Sequence, residues 1–173
     1  MVETIKYEVL RKLNKIEIRR YPKLTIAKVE GYGNGGFDLL FRFITGENRQ
    51  KTKVKMTAPV VSERIEMTAP VLSDKGSLAF VMPEGYTIEK TPEPLNKKVK
   101  IIETPERHVA ALRFSGRWTE SSFNTKSKEL LDELATAKVK TKGNVFAMLY
   151  NAPFTPWFMR RNEIAIEVEL EHR

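Results

Sequence analysis

Sliding the chain over itself by 83 positions brings Ile16-Glu17-Ile18 over Val99-Lys100-Ile101, Pro22 over Pro105, Ile26-Ala27 over Val109-Ala110 and Gly33 over Gly116. Such a repeat constrains the fold more tightly than composition does, because both halves must then build the same supersecondary unit. After the matched stretch each half enters a helix. The first is expected at about Gly36 to Gly46 and the second at about Thr119 to Ala137, with Thr119 or Ser121 as N-cap and Glu120 at the positive end of the helix dipole. Strands follow, roughly Val54–Val61 and Leu78–Met82 in the first half, Val145–Tyr150 and Ile164–Leu170 in the second. The last of these alternates cleanly, with Ile164, Ile166, Val168 and Leu170 against Ala165, Glu167 and Glu169. The order strand, helix, strand, strand, twice over, predicts an α+β fold of duplicated β-α-β-β halves, about 7–90 and 97–173, in one domain spanning 1–173. Its sheet is antiparallel or mixed, solvated on one side and covered by two helices on the other. Gly85 and the segment Thr91-Pro92-Glu93-Pro94-Leu95-Asn96 mark the linker between the halves.

A second repeat lies inside the first half. Met-Thr-Ala-Pro-Val occurs at Met56–Val60 and again at Met67–Val71, joined by the alternating stretch Val61-Ser62-Glu63-Arg64-Ile65-Glu66. Proline lacks an N–H and holds the residue before it extended, which favours strand edges or bulges. Two readings are open: two irregular strand edges and nothing more, or a hairpin that sets the soft side chains of Met56 and Met67 beside a pocket for a flat apolar ligand.

The two helices differ in what they leave over. On the second, Phe123, Leu130, Leu131, Leu134 and Ala137 form one apolar stripe with charged residues around it, as an ordinary surface helix has. On the first, Phe37, Leu40, Phe41 and Ile44 complete an i, i+3, i+4, i+7 stripe, yet Leu39 and Phe43 stand on the other side among Asp38, Arg42 and Thr45. One apolar face is therefore surplus to the core, and a covering loop, a partner or a ligand would account for it. Arg42 set among aromatics suits a ligand with a flat apolar body and carboxylate arms.

Composition closes several routes. With 173 residues, of which 41% are hydrophobic, the chain can bury a core. No stretch approaches the ~20 apolar residues of a membrane span, and the start has no apolar signal region, so a soluble, cytoplasmic monomer is expected. The absence of cysteine removes disulfides, thiolate nucleophiles and Cys-ligated metals. A net charge of +8 invites nucleic acid, but the basic residues are spread, and Arg49, Lys51, Lys53 and Lys55 alternate as a solvated strand face would. No nucleic-acid-binding motif accompanies them, and no specific nucleic-acid partner is expected.

Catalytic signals are weak. Gly31, Gly33 and Gly36 satisfy G-x-G-x-x-G, but Lys51 to Lys55 stand where the ribose-binding acid should be, so the glycines read as a tight turn into the helix. Of the two histidines, His172 lies near the chain end and His108 shares the parity of Ala110, Leu112 and Phe114, which fits a hydrogen-bonded structural histidine better than a metal ligand. The aromatic, proline-studded stretch Tyr150–Glu163, centred on Trp157, is either a cap over a sheet edge or a lid on a pocket.

The segment Ile16-Glu17-Ile18-Arg19-Arg20-Tyr21-Pro22, the doubled Met-Thr-Ala-Pro-Val, Phe80-Val81-Met82-Pro83, Val109–Gly116 and the closing Pro-x-x-Pro-x-x-x-Arg-Arg-Asn-Glu strongly resemble the SOUL, or haem-binding protein, family over nearly the whole chain. The resemblance implies a twisted sheet or distorted β-barrel with two helices, similar to GyrI-like effector-binding folds. It implies reversible binding of haem or a related tetrapyrrole around the first helix, in a carrier or buffer rather than an enzyme, with no required axial ligand from the protein. Phe37 and Phe41 match apolar helix residues assigned to the haem contact, and Arg42 matches a basic residue assigned to a propionate. A second basic contact at the helix entry is replaced here by Asn34. Together these readings nominate Phe37, Phe41, Arg42, Phe43, Met56, Met67 and Trp157 as ligand-contacting residues. The rival functions are a GyrI-like module sensing a small, possibly cationic effector, whose mark would be a buried carboxylate, and a tetrapyrrole-processing enzyme.

Overall fold

Residues 3–31, 35–64, 76–116, 119–150 and 156–170 are described by the computed structural model. In chain order the elements are β1 (Glu3–Thr4), β2 (Glu8–Leu13), β3 (Ile16–Tyr21), β4 (Leu24–Glu30), α1 (Gly35–Ile44), β5 (Thr57–Ala58), β6 (Val60–Arg64), β7 (Gly76–Val81), β8 (Lys100–Thr104), β9 (Arg107–Phe114), α2 (Glu120–Thr136), β10 (Lys140–Leu149), a 3-10 turn (Trp157–Met159) and β11 (Asn162–Glu169). The chain divides into two compact units, one of Met1–Ile5 with Lys23–Pro105, the other of Lys6–Pro22 with Glu106–Arg173. Their boundaries differ from the expected halves: β2 and β3 group with the C-terminal elements, and β8 with the N-terminal ones. The succession strand, strand, helix, strand, strand nevertheless runs through β3, β4, α1, β6, β7 and again through β8, β9, α2, β10, β11.

In the first unit the strand order is β6-β7-β4-β8, every ladder antiparallel. The short pair β1–β5 is parallel. β4 alternates strictly, burying Thr25, Ala27 and Val29, and α1 lies against β4 and β7. Leu40, Phe43 and Ile44 of the helix meet Ala27, Val29, Phe80, Met82, Val54 and Val99 in one core. The expected strand Val54–Val61 is interrupted: Thr57–Ala58 pairs with β1, Pro59 follows through a cis peptide bond, and Val60 opens β6. Pro59 has no N–H to give to a ladder, so the break falls there. The hairpin partner of β6 is β7, Val60 opposite Phe80 and Arg64 opposite Gly76, while the second Met-Thr-Ala-Pro-Val lies outside the described residues. Lys51 to Lys55 belong to no strand, and Lys51 has a left-handed backbone (φ 51°). The segment expected to be a linker is instead tied down, with Asn48 bridged to Pro94, Arg49 N–H donating to the Glu93 carbonyl at 2.8 Å and Glu93 N–H to Gln50 Oε1 at 2.9 Å.

Both ends of a helix need substitutes for missing intrahelical bonds. At the C-terminus of α1, Glu47 N–H bonds the Arg42 carbonyl (2.9 Å) and Gly46 N–H the Phe43 carbonyl (3.4 Å), a Schellman closure that requires the positive φ of Gly46 (124°). Asn48, fully buried, then donates to the carbonyls of Phe43 and Thr52 and accepts from Thr52 N–H, which fixes the exit of the helix.

In the second unit the order is β2-β3-β9-β11-β10, again antiparallel throughout. In neither unit do the outer strands pair with one another among the described residues, so each sheet is open rather than a closed barrel. Strand alternation gives this sheet two unlike faces. Ile16, Ile18, Ala110, Leu112, Ala147, Ile164, Ile166 and Val168 take Phe123, Leu130 and Leu134 of α2. Thr119 caps α2: its hydroxyl accepts from Ser122 N–H at 3.0 Å, and Ser122 Oγ accepts from Thr119 N–H at 2.9 Å. Leu131, read as part of the inner stripe, is instead 38% exposed, since the buried positions run Phe123, Ser127, Leu130, Leu134. Among the described residues no helix is long and apolar enough to cross a membrane.

Leu134→Ala, deleting a wholly buried side chain, is expected to lower the unfolding free energy by about 2–5 kcal/mol, and Thr119→Ala by about 1 kcal/mol, in urea titrations. A loss at Thr119 as large as that at Leu134 would contradict a capping role.

Candidate functional site

α1 presents Phe37 and Phe41 on its exposed side. Phe37 and Phe41, one turn apart, stack with ring centroids 6.1 Å apart and planes 11° from parallel, and remain 40% and 46% exposed. The edge of Phe37 meets the buried Phe80 at 5.3 Å and 69°, which anchors the pair to the core. Beside them Arg42 Nε pairs with Asp38 Oδ2 at 3.1 Å, both side chains more than half exposed. The patch is thus two parallel phenyl rings bordered by one cation and one anion.

The faces of α1 differ from the sequence expectation. Gly36, Leu40, Phe43 and Ile44 point into the core, so Phe43 belongs to the packing and not to the exposed aromatic surface. Of the expected stripe Phe37, Leu40, Phe41 and Ile44, only Leu40 and Ile44 are buried, and Phe43, expected on the other side, joins them. Gly36 lies on this side, where a Cβ would be 3.8 Å from Leu78 and Val29, so it is the side close to the sheet. Met56 is partly buried against the same core, while Met67 and Asn34 lie outside the described residues. Trp157 opens the 3-10 turn, in which Phe158 and Met159 are well exposed; residues 151–155 of the expected lid or cap are not described. His108 sits half-buried on β9 opposite Arg20. Among the described residues no cluster of His, Asp and Glu has the makings of a metal site.

The face of the second unit's sheet turned away from α2 holds a polar network that the sequence reading missed. Arg19 on β3 and Glu163 on β11 are 2% and 0% exposed. Arg19 Nη1 and Nη2 donate to the two carboxylate oxygens of Glu163 at 2.7 and 2.6 Å, Nη1 also to the Tyr21 hydroxyl at 3.0 Å, and Nε and Nη2 to Glu17 Oε1 at 3.0 and 2.7 Å. Its guanidinium carbon lies 4.1 Å from the ring centre of Tyr7. Arg161 donates to Glu163 at 3.3 Å and to the Tyr7 hydroxyl at 3.0 Å, and stacks on Tyr150 at 4.0 Å. Burial by itself would raise the Glu163 pKa, but the hydrogen bonds and charge of Arg19, then the charge of Arg161, outweigh it and hold the carboxylate below its usual range. Burial would likewise lower that of Arg19, and the hydrogen bond to Glu163 reverses the direction. Burial raises both Tyr21 and Tyr150, which keeps them neutral donors and acceptors. The one available signal for this network was the parity of Glu17, Arg19 and Tyr21 opposite Ile16 and Ile18, and that pattern reads equally well as a solvated face.

Glu163→Gln would leave Arg19 facing a neutral amide and is expected to cost about 3–5 kcal/mol near neutral pH. Because the folded carboxylate has the lower pKa, its contribution is present above the unfolded value of about 4.3 and disappears as pH falls through the folded one. The stability gap between wild type and Glu163→Gln, measured by urea unfolding, should therefore narrow from pH 7 to pH 3; a gap that stays constant would show that the charge of Glu163 is not what matters.

Comparison with solved structures extends the architecture to other proteins. The C-terminal domain of EcmrR matches with a TM-score of 0.61 over 91% of this chain and 99% of its own, at 10% identity. A hydrolase from Listeria innocua matches with a TM-score of 0.60 over 92% and 94%, at 13% identity. SAV2435 bound to tetraphenylphosphonium matches with 0.50 over 95% and 94%, at 11% identity. At such identities the likeness is one of fold, an α+β arrangement of two helices on open antiparallel sheet. No curated protein sequence matches the chain. The profile of the SOUL heme-binding proteins, in contrast, aligns with residues 2–167, nearly the full length, and the chain belongs to that family.

Proposed function

We propose that this protein binds haem or a related tetrapyrrole reversibly on the outer face of α1, as a carrier or buffer without chemistry of its own. The observation that carries the reading is the stacked, exposed pair Phe37–Phe41 in a member of a heme-binding family. Two exposed phenyl rings offer apolar area that a macrocycle can cover, and covering it is worth about 25 cal/mol for each Å² of apolar area taken from water. Arg42 stands at the border where a propionate would reach. The helix segment Gly35–Ile44 contains no His, Cys, Met or Tyr, so this reading needs the ring to be held by apolar contact and charge rather than by a bond from α1 to iron. With roughly 40 heavy atoms at about 0.3 kcal/mol each, haem can bind tightly without such a bond. Met56, Met67 and Trp157 remain proposed ligand contacts.

The effector-sensing alternative has one supporting comparison, the tetraphenylphosphonium-bound SAV2435 of similar fold. A buried carboxylate suited to a cation does exist here in Glu163, but Arg19 and Arg161 already neutralise it. That saturation favours the tetrapyrrole reading. Likeness to a hydrolase at 13% identity carries no activity to this chain.

Absorbance titration with haemin tests the proposal. Phe41→Asp should abolish binding by setting an unpaired charge against the ring, whereas His108→Ala should leave the affinity within a few-fold. Arg42→Ala should weaken haemin about 5- to 100-fold, less at high salt, and scarcely affect haem dimethyl ester, which has no carboxylate to pair. Asp38→Asn, which frees Arg42, should strengthen haemin about 2- to 5-fold and leave the ester unchanged. Full affinity in a folded Phe41→Asp protein would remove α1 as the site.

A further inference from the structure

We infer that the polar face of the second unit is a binding site for a guanidinium cation, built from Glu163, Glu17, Tyr21 and Tyr7, which the chain fills from within by its own Arg19. A guanidinium carries five N–H donors in one plane. All five are met here: Nε and one Nη2 hydrogen by Glu17, the second Nη2 and one Nη1 hydrogen by the two oxygens of Glu163, and the last Nη1 hydrogen by the hydroxyl of Tyr21. The Tyr7 ring lies over the guanidinium carbon at 4.1 Å. An ammonium has three donors on a compact head and would leave some of these acceptors unpaired in the interior, so the acceptor set selects guanidinium over ammonium.

Glu163, Tyr7 and Tyr21, three of the four residues of the site, are held by contacts that do not involve Arg19. Glu163 accepts from Arg161 at 3.3 Å and takes a further hydrogen bond from Tyr150. Tyr7 accepts from Arg161 at 3.0 Å, and its ring packs on that of Tyr21 at 5.2 Å. Tyr21 donates to Met148 Sδ at 3.8 Å. Shortening Arg19 therefore leaves an anionic, aromatic-walled opening matched to the piece removed, and the intact chain is closed to soluble cations because its own side chain occupies the place.

The test uses the full chain carrying Arg19→Ala, with thermal unfolding followed in millimolar methylguanidinium chloride and in the same concentration of methylammonium chloride. Methylguanidinium should raise the unfolding temperature of the variant saturably, by on the order of 5 °C, while methylammonium does not. The wild type and the double variant Arg19→Ala/Glu163→Gln should not distinguish the two salts. Should Arg19→Ala fail to fold in buffer alone, its refolding from urea is measured in each salt, with native protein expected to be recovered in methylguanidinium and not in methylammonium. Equal effects of the two salts, an equal response of the double variant, or no recovery in methylguanidinium would overturn the inference.

Discussion

The pairing of Arg19 with Glu163 is the interaction around which the second unit is organised. Taking either charge out of water costs several kcal/mol, and the loss is offset only where partners are complete and well placed. The surroundings are accordingly specified: Glu17 and Tyr21 on the strand of Arg19, Arg161 two residues from Glu163, and Tyr7 and Tyr150 stacked on the two guanidinium groups. The pair joins residues 144 apart in sequence, on strands that both flank β9. Setting Glu17, Arg19, Tyr21 and Glu163 on one face leaves Ile16, Ile18, Ala110, Leu112, Ile164 and Ile166 on the other, where α2 seats Phe123, Leu130 and Leu134.

The first unit handles its charges differently. Its core is closed by one side of α1, where Gly36 faces Leu78 and Val29, and little of that side remains for a ligand. What the core does not use is a strip of Phe37, Asp38, Phe41 and Arg42, fixed in place by the edge contact of Phe37 with Phe80 at its root and by the Gly46 closure and Asn48 at the end of the helix. Rings held in this way lose little freedom on binding, which reduces the ordering cost of an aromatic contact surface.

The sequence was legible where local chemistry decides the outcome. The cap at Thr119, the entry at Glu120 and the alternation through Ile164, Ile166 and Val168 appear where the pattern put them, because capping and strand parity are written within a few neighbouring residues. It was ambiguous where a helix is apolar on more than one side: the stripe Phe37, Leu40, Phe41, Ile44 is half right, and the approach to the sheet buries Phe43 with Leu40 and Ile44 instead of Phe37 and Phe41. It was silent about pairs distant in the chain. An alternating Ile-Glu-Ile-Arg-Arg-Tyr is the same string whether Arg19 meets water or a carboxylate on another strand, and Arg20, its neighbour, does stay half solvated beside Glu8. Composition likewise could not tell that Thr91 and Pro92, in a stretch rich in turn formers, would be buried and the stretch bound to residues 48–50.

The two arginines of most interest differ in how readily they can serve a ligand. Arg19 has every donor engaged and is sealed from solvent, so a ligand carboxylate could recruit it only by unmaking a buried ion pair, at a cost of about 3–5 kcal/mol. Arg42 is engaged by a single exposed carboxylate one turn away, in a contact of the class worth about 0–1 kcal/mol. A propionate can take the place of Asp38 at almost no net expense, and the displaced Asp38, in the first turn of α1, returns to water at the end of the helix where negative charge is favoured. Under the proposed function Asp38 therefore holds Arg42 beside the phenyl pair before a ligand arrives and yields it afterwards, and the affinity for anionic tetrapyrroles is set by the difference between two carboxylates competing for one guanidinium.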